Sequence, residues 1–136
     1  MKTLDYIVTL TQTPSPTGYT TDIMNYIKAE IEGFGYEATK TPKGGVLVTV
    51  PGKNDEEHRI LTAHLDTLGA MVRAIKPDGR IKMDLVGGFG YPSIEGENCL
   101  IHCAKNGKTF TGTILLPQTS VPGHRDASTA ERNQTP

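Results

Sequence analysis

Tryptophan is absent, cysteine occurs twice, and net charge is nearly so: −1, from 14 Lys+Arg against 15 Asp+Glu. That balance excludes the basic footprint of a nucleic-acid-binding surface and the polybasic patch that holds a protein to anionic lipid. No apolar run approaches the ~20 residues of a membrane span. The opening Met1-Lys2-Thr3-Leu4-Asp5 lacks the basic-then-apolar layout of a secretory leader. What remains, at 36% hydrophobic and 21% charged residues over 136, is the composition of a folded domain. The expectation is a soluble, cytoplasmic chain with no membrane or nucleic-acid partner.

Cysteine usage fits a reducing compartment. Cys99 and Cys103 lie in a stretch that reads as a strand, where four residues at about 3.3 Å each separate them by about 13 Å, beyond disulfide reach. His102 between them would face the opposite side, so the three do not form a metal set. Two buried thiols are expected.

The first third alternates helix and strand signals. Leu4, Ile7, Val8 and Thr11 have helical spacing, which predicts a short amphipathic helix over 2–11. Thr13-Pro14-Ser15-Pro16-Thr17-Gly18 interrupts it, because each proline pushes its predecessor out of the α region. A longer helix is predicted over 19–34, with Ile23, Ile27, Ile31 and Phe34 as its stripe, Asp22 in the first turn and Gly35 as the C-terminal cap. Strands are predicted over 37–40, 46–50 and 59–65, the last being the best candidate for a buried strand. After Gly69 short strands alternate with turn signals: 71–75, 81–85, 99–103 and 109–116, with Asn106-Gly107 as a type I′ hairpin signal. A boundary is expected near residue 70, giving units 1–70 and 71–136, with a polar tail from about 117. The fold class expected is α/β: part of an α/β sandwich followed by part of a small β-barrel-like domain.

Chemistry concentrates at His64-Leu65-Asp66, at the end of the strongest predicted strand. Residues i and i+2 of a strand share a face. Asp66 can therefore accept a hydrogen bond from one imidazole nitrogen of His64, leaving the other for a divalent metal. The same spacing also suits a plain polar pair, and a complete site needs further ligands. His58, His102 and His124 lie in a charged turn, on a later strand and in the tail, and offer no obvious second ligand. The Pro14–Gly18 turn either presents backbone N–H groups or acts as a rigid connector. Ser15, Ser93 and Ser120 have no sequence-adjacent acid or histidine. Gly87-Gly88-Phe89-Gly90 reads as a bend.

At His64-Leu-Asp-Thr-Leu-Gly-Ala-Met-Val72 the chain resembles the N-terminal part of the tetrahedral (glutamyl or deblocking) aminopeptidase family of two-metal peptidases. The likeness extends to Thr13-Pro-Ser-Pro-Thr-Gly18, Ile75-Lys-Pro-Asp-Gly79, Val86-Gly-Gly88, Ile94-Glu-Gly-Glu-Asn-Cys99 and Gly112-Thr-Ile114, and on to Ala130-Glu-Arg-Asn-Gln134. It implies a zinc-peptidase-type α/β sandwich interrupted by an inserted β domain. It implies His64 as a metal ligand and Asp66 as the catalytic-site carboxylate that orients it. Two divalent ions, zinc or cobalt, would serve each complete site. Peptides would be the substrates, and homo-oligomers built through the inserted domain the assembly. The family's remaining ligands and its glutamate base follow the inserted domain, so the expectation is a fragment or truncated form, inactive alone. A non-catalytic assembly or binding module, and a related His-x-Asp carboxypeptidase or deacylase, are the alternatives.

Overall fold

A computed structural model describes residues 3–54 and 56–115. The expected polar tail, with His124 and Ser120, lies outside the described residues. The chain divides into two units. The first runs to Arg73 and includes Asp84–Gly87; the second comprises Ala74–Met83 and the chain from Gly88 on. Helices and small two-stranded sheets give a mixed α/β chain. Among the described residues no helix is long and apolar enough to cross a membrane.

In the first unit, α1 (Thr3–Gln12) and α2 (Thr21–Gly33) flank the proline turn, as the spacing predicts. Thr9, Thr11 and Thr13 return their hydroxyls to carbonyls of the preceding turn, which satisfies the hydroxyls without strengthening the helix. The Tyr6 hydroxyl donates to Glu30 at 2.8 Å, and the Tyr6 and Phe34 rings lie 6.4 Å apart, tying α1 to the end of α2. Strands β1 (Ala38–Lys40) and β2 (Val46–Val48) pair antiparallel, with Ala38 opposite Val48. Helix α2 packs on this ribbon. Ile23 on the helix and Ala38 on the strand are the buried apolar side chains among the described residues. The rest of the predicted stripe is graded: Ile27 and Ile31 are half-buried, whereas Phe34 is 65% exposed.

Helix α2 ends as Gly35 predicts. Phe34 is the C-cap and Gly35 follows at φ +86. The Gly35 N–H donates to Glu32 at 2.9 Å and the Tyr36 N–H to Ile31 at 3.3 Å, the paired return bonds of a Schellman motif.

The segment 59–65 departs from expectation. It forms no ladder with any described residue, and Ile60 and Leu61 are 87% and 97% exposed. A run of apolar residues marks what a segment could bury, but a strand exists only as a pairing, and no described strand lies alongside this one.

Strands β3 (Gly69–Ile75) and β4 (Ile81–Val86) pair through a tight turn closed by Lys76 N–H to Arg80 O at 2.8 Å. Asp78 accepts from the guanidinium of Arg80 first and from its backbone N–H second, which holds its carboxyl below the ordinary carboxylate value. Gly87 and Gly88 form the expected bend. A single 3₁₀ turn, Tyr91–Ser93, precedes β5 (Asn98–His102), which pairs antiparallel with β6 (Thr109–Thr113). The hairpin forms where Asn106-Gly107 predicts, but not as a type I′ turn. Gly107 alone has positive φ (+66), and the closing bond runs from Cys103 N–H to Lys108 O at 2.8 Å across a longer loop. Asn106 instead accepts from the Lys108 N–H at 3.0 Å. Cys99 and Cys103 are free thiols, half-buried rather than buried.

Replacing Gly35 by alanine places a Cβ on a left-handed residue that nothing else crowds. We expect Gly35→Ala to destabilise the first unit by about 1 kcal/mol, read as a lowered urea midpoint at unchanged slope.

Candidate functional site

The site is assembled by two segments that are remote in sequence. Pro14 and Pro16 stiffen the stretch between the helices, since each fixes its own φ and restricts the residue before it. The Tyr19 N–H returns to Pro16 O at 2.7 Å and starts the turn into α2. This stiffened loop runs beside the chain from Leu65 to Gly69. Ser15 is fully buried, and its hydroxyl donates to Leu65 O at 2.7 Å. The Thr67 N–H donates to Ser15 O at 2.9 Å, and Pro16 and Thr67 form a parallel bridge. Gly69 completes the approach: a Cβ there would lie 2.5 Å from Pro16 Cβ, far inside contact distance.

On this crossing stand the residues singled out by the sequence. His64 Nδ1 lies 2.9 Å from Asp66 Oδ1. The other carboxylate oxygen, Oδ2, accepts the Thr17 hydroxyl at 2.6 Å. The i, i+2 adjacency expected of His64 and Asp66 is present, but the support differs from expectation. The pair sits on an unladdered extended segment held by the Ser15 region, not at the tip of a sheet strand. The imidazole is 85% exposed and the Asp66 side chain 39%.

Two hydrogen bonds set the electrostatics. The Thr17 hydroxyl first, and His64 second, hold the Asp66 carboxyl below the ordinary carboxylate value, against a smaller opposing effect of burial. Both bonds favour the ionised form. In this exposed setting solvent screens the interaction, so its consequence is orientation more than stability. With Asp66 ionised, the proton of a neutral His64 ring belongs on Nδ1, which leaves the Nε2 lone pair directed away from the carboxylate.

Two other histidines fall among the described residues. His58 is exposed in the charged turn, and His102 Nδ1 lies 3.1 Å from Thr109 Oγ1 in the second unit. Among the described residues no group of three or more His, Cys, Asp or Glu side chains could hold a metal ion. Thr17 and Ser15 were not legible as site residues, because their partners lie 49 and 50 positions away. The available signal was the alternation of hydroxyls at 15 and 17 in a proline-stiffened stretch, which presents both at fixed positions.

A profile of the M42 glutamyl aminopeptidase family matches residues 44–135. The chain belongs to that family. It is 53% identical over 133 residues to YhfE of Bacillus subtilis, a protein named as an aminopeptidase, covering 98% of this chain and 38% of that one. It is 31% identical over 118 residues to the glutamyl aminopeptidase of Lactococcus lactis subsp. cremoris, covering 86% of this chain and 33% of that one. The family expected from the residues around His64 is the one found. The chain thus spans about a third of the length of these curated relatives.

Two outcomes are expected. Gly69→Ala should force Pro16 and Gly69 apart and destabilise the first unit by about 1–3 kcal/mol, with the amide signals of 14–18 and 65–69 moving together; an unshifted midpoint would count against the crossing. Because the Asp66 carboxyl is lowered, the stability it contributes is complete above the ordinary carboxylate range and is lost as pH falls through its depressed value. The carboxyl carbon shift of Asp66 should accordingly titrate below that range.

Proposed function

We propose that this chain is the amino-terminal portion of a metal-dependent aminopeptidase that removes N-terminal residues from peptides. Family membership supports the reaction class. The observation that carries the chemistry is the His64–Asp66 hydrogen bond, 2.9 Å long, with Nδ1 engaged and the ring otherwise exposed. A neutral imidazole whose proton is fixed on Nδ1 by a carboxylate is the donor a divalent cation takes at Nε2. The donor chemistry therefore fits one ligand position, held by His64, with Asp66 as the orienting carboxylate. The ion, zinc or cobalt in this reading and two per complete site, would supply Lewis acidity toward the scissile carbonyl.

What these residues do themselves is narrower. Asp66 holds the proton on Nδ1 and sets the plane of the ring. Ser15 and Gly69 fix the backbone on which both stand. One imidazole gives weak and unselective metal binding, and hydrolysis needs a closed ligand set in a sheltered cleft. The 136-residue chain alone is consequently inactive in this reading.

The wider architecture proposed is a zinc-peptidase-type α/β sandwich with an inserted β-barrel-like domain beginning near residue 70. Peptide substrates, a homo-oligomer assembled through that domain and a cytoplasmic location belong to the same reading. A carboxypeptidase or deacylase sharing His-x-Asp is disfavoured, since the family profile continues across the β segment to residue 135.

The test is hydrolysis of aminoacyl-nitroanilides by the 136-residue chain with added zinc or cobalt, together with a metal titration followed at the His64 ring. No significant turnover and a weak ring response, absent in His64→Ala, are expected. Metal-dependent turnover abolished by His64→Ala would overturn the inactivity, and a His64 ring that ignores both metals would remove the basis for the centre.

A further inference from the structure

The crossing of the two segments is already held at two points. Ser15 Oγ donates to Leu65 O at 2.7 Å, and the Thr67 N–H donates to Ser15 O at 2.9 Å. Thr17 adds a third bond of a different kind. It ends not on the backbone but on the free oxygen of the carboxylate that holds His64. Thr17 is exposed, so this bond shelters no buried polar group and does little for stability.

Its geometric effect is larger. The terminal torsion of an aspartate is broad and roughly two-fold, so a carboxylate held at one oxygen can swing and carry its imidazole with it. A carboxylate held at both oxygens cannot swing without breaking a bond. Thr17 is well placed to provide the second hold. It lies between Pro16, which fixes the chain on one side, and Gly18, where the chain turns into α2 with Tyr19 N–H bonded to Pro16 O at 2.7 Å.

We propose that Thr17 is a positioning residue: its hydroxyl fixes the plane of the Asp66 carboxylate, which in turn keeps the His64 proton on Nδ1 and Nε2 open for a ligand. The value of that open nitrogen to a divalent cation rests on the aminopeptidase reading. The hydroxyl–carboxylate–imidazole chain itself does not.

The experiment uses nitrogen-resolved spectra of the His64 ring in the full chain at mildly alkaline pH, for wild type, Thr17→Val, Thr17→Ser and Ser15→Ala. Wild type and Thr17→Ser should hold the proton on Nδ1. Thr17→Val should raise the population protonated on Nε2 severalfold with little change in melting. Ser15→Ala, which loosens the crossing itself, should lower the melting temperature markedly, the change that Thr17→Val leaves small. An unchanged tautomer ratio in Thr17→Val, or an equal shift in Thr17→Ser, would overturn the proposal. Should Thr17→Val fail to fold, the three-bond couplings of Thr17 in wild type decide: one side-chain rotamer is expected, and averaging over several refutes the hold on Asp66. Zinc added to the same samples separates the two readings. Zinc binding at Nε2 weakened by Thr17→Val in proportion to the lost Nδ1-protonated fraction, but not by Thr17→Ser, supports both. Tautomer control with no zinc response leaves the positioning standing and removes the metal reading. Zinc binding and tautomer ratio both indifferent to Thr17→Val refute the positioning.

Discussion

The crossing of the proline-stiffened loop with the chain leading out of His64 is the constraint on which the rest of the site depends. Ser15 is the fully buried polar residue among the described ones, and its hydroxyl and carbonyl both engage the second segment. A buried hydroxyl left without a partner is costly, so these bonds are enforced by desolvation as well as by attraction. Gly69 allows the approach because any side chain there would collide with Pro16. Remove this crossing, and the His64–Asp66 pair rides on an extended segment with no ladder on either side.

The apolar surface of the first unit is distributed unusually. Ile23 and Ala38 are buried, yet Leu4, Ile60, Leu61 and Leu68 are more than half exposed. Apolar area removed from water contributes about 25 cal/mol per Å², and these side chains contribute little of it among the described residues. The segment 59–65 has the pattern of an inner strand and the surroundings of a linker. That contrast accords with a chain spanning 38% of the length of YhfE.

The site works by rigidity, not by strength of interaction. Its hydrogen bonds are exposed and screened, and none needs to contribute much free energy. What they do is remove degrees of freedom in series. Prolines fix the loop, the loop fixes Thr17, Thr17 and His64 share the two oxygens of Asp66, and the imidazole is left with one open nitrogen. In the proposed metal reading, such outer contacts would tune His64 without touching what it binds.

Much of this was legible locally. The spacing of Leu4, Ile7 and Val8 gave a helix, Gly35 its neighbour's cap, Asn106-Gly107 a hairpin, and His64-Leu65-Asp66 an adjacent pair. Each depends on contacts within a few residues, where the period of helix or strand settles which side chains meet. The type I′ geometry failed because loop length is decided by the register of β5 on β6, and the strand over 59–65 failed because pairing needs a second chain segment. By itself, then, the sequence determined both helices, the positions of the paired strands, the family, and the two residues able to share a proton. Only tertiary structure decided that Ser15 and Thr17 hold that pair, because their partners lie 50 and 49 residues away and no periodicity reaches so far.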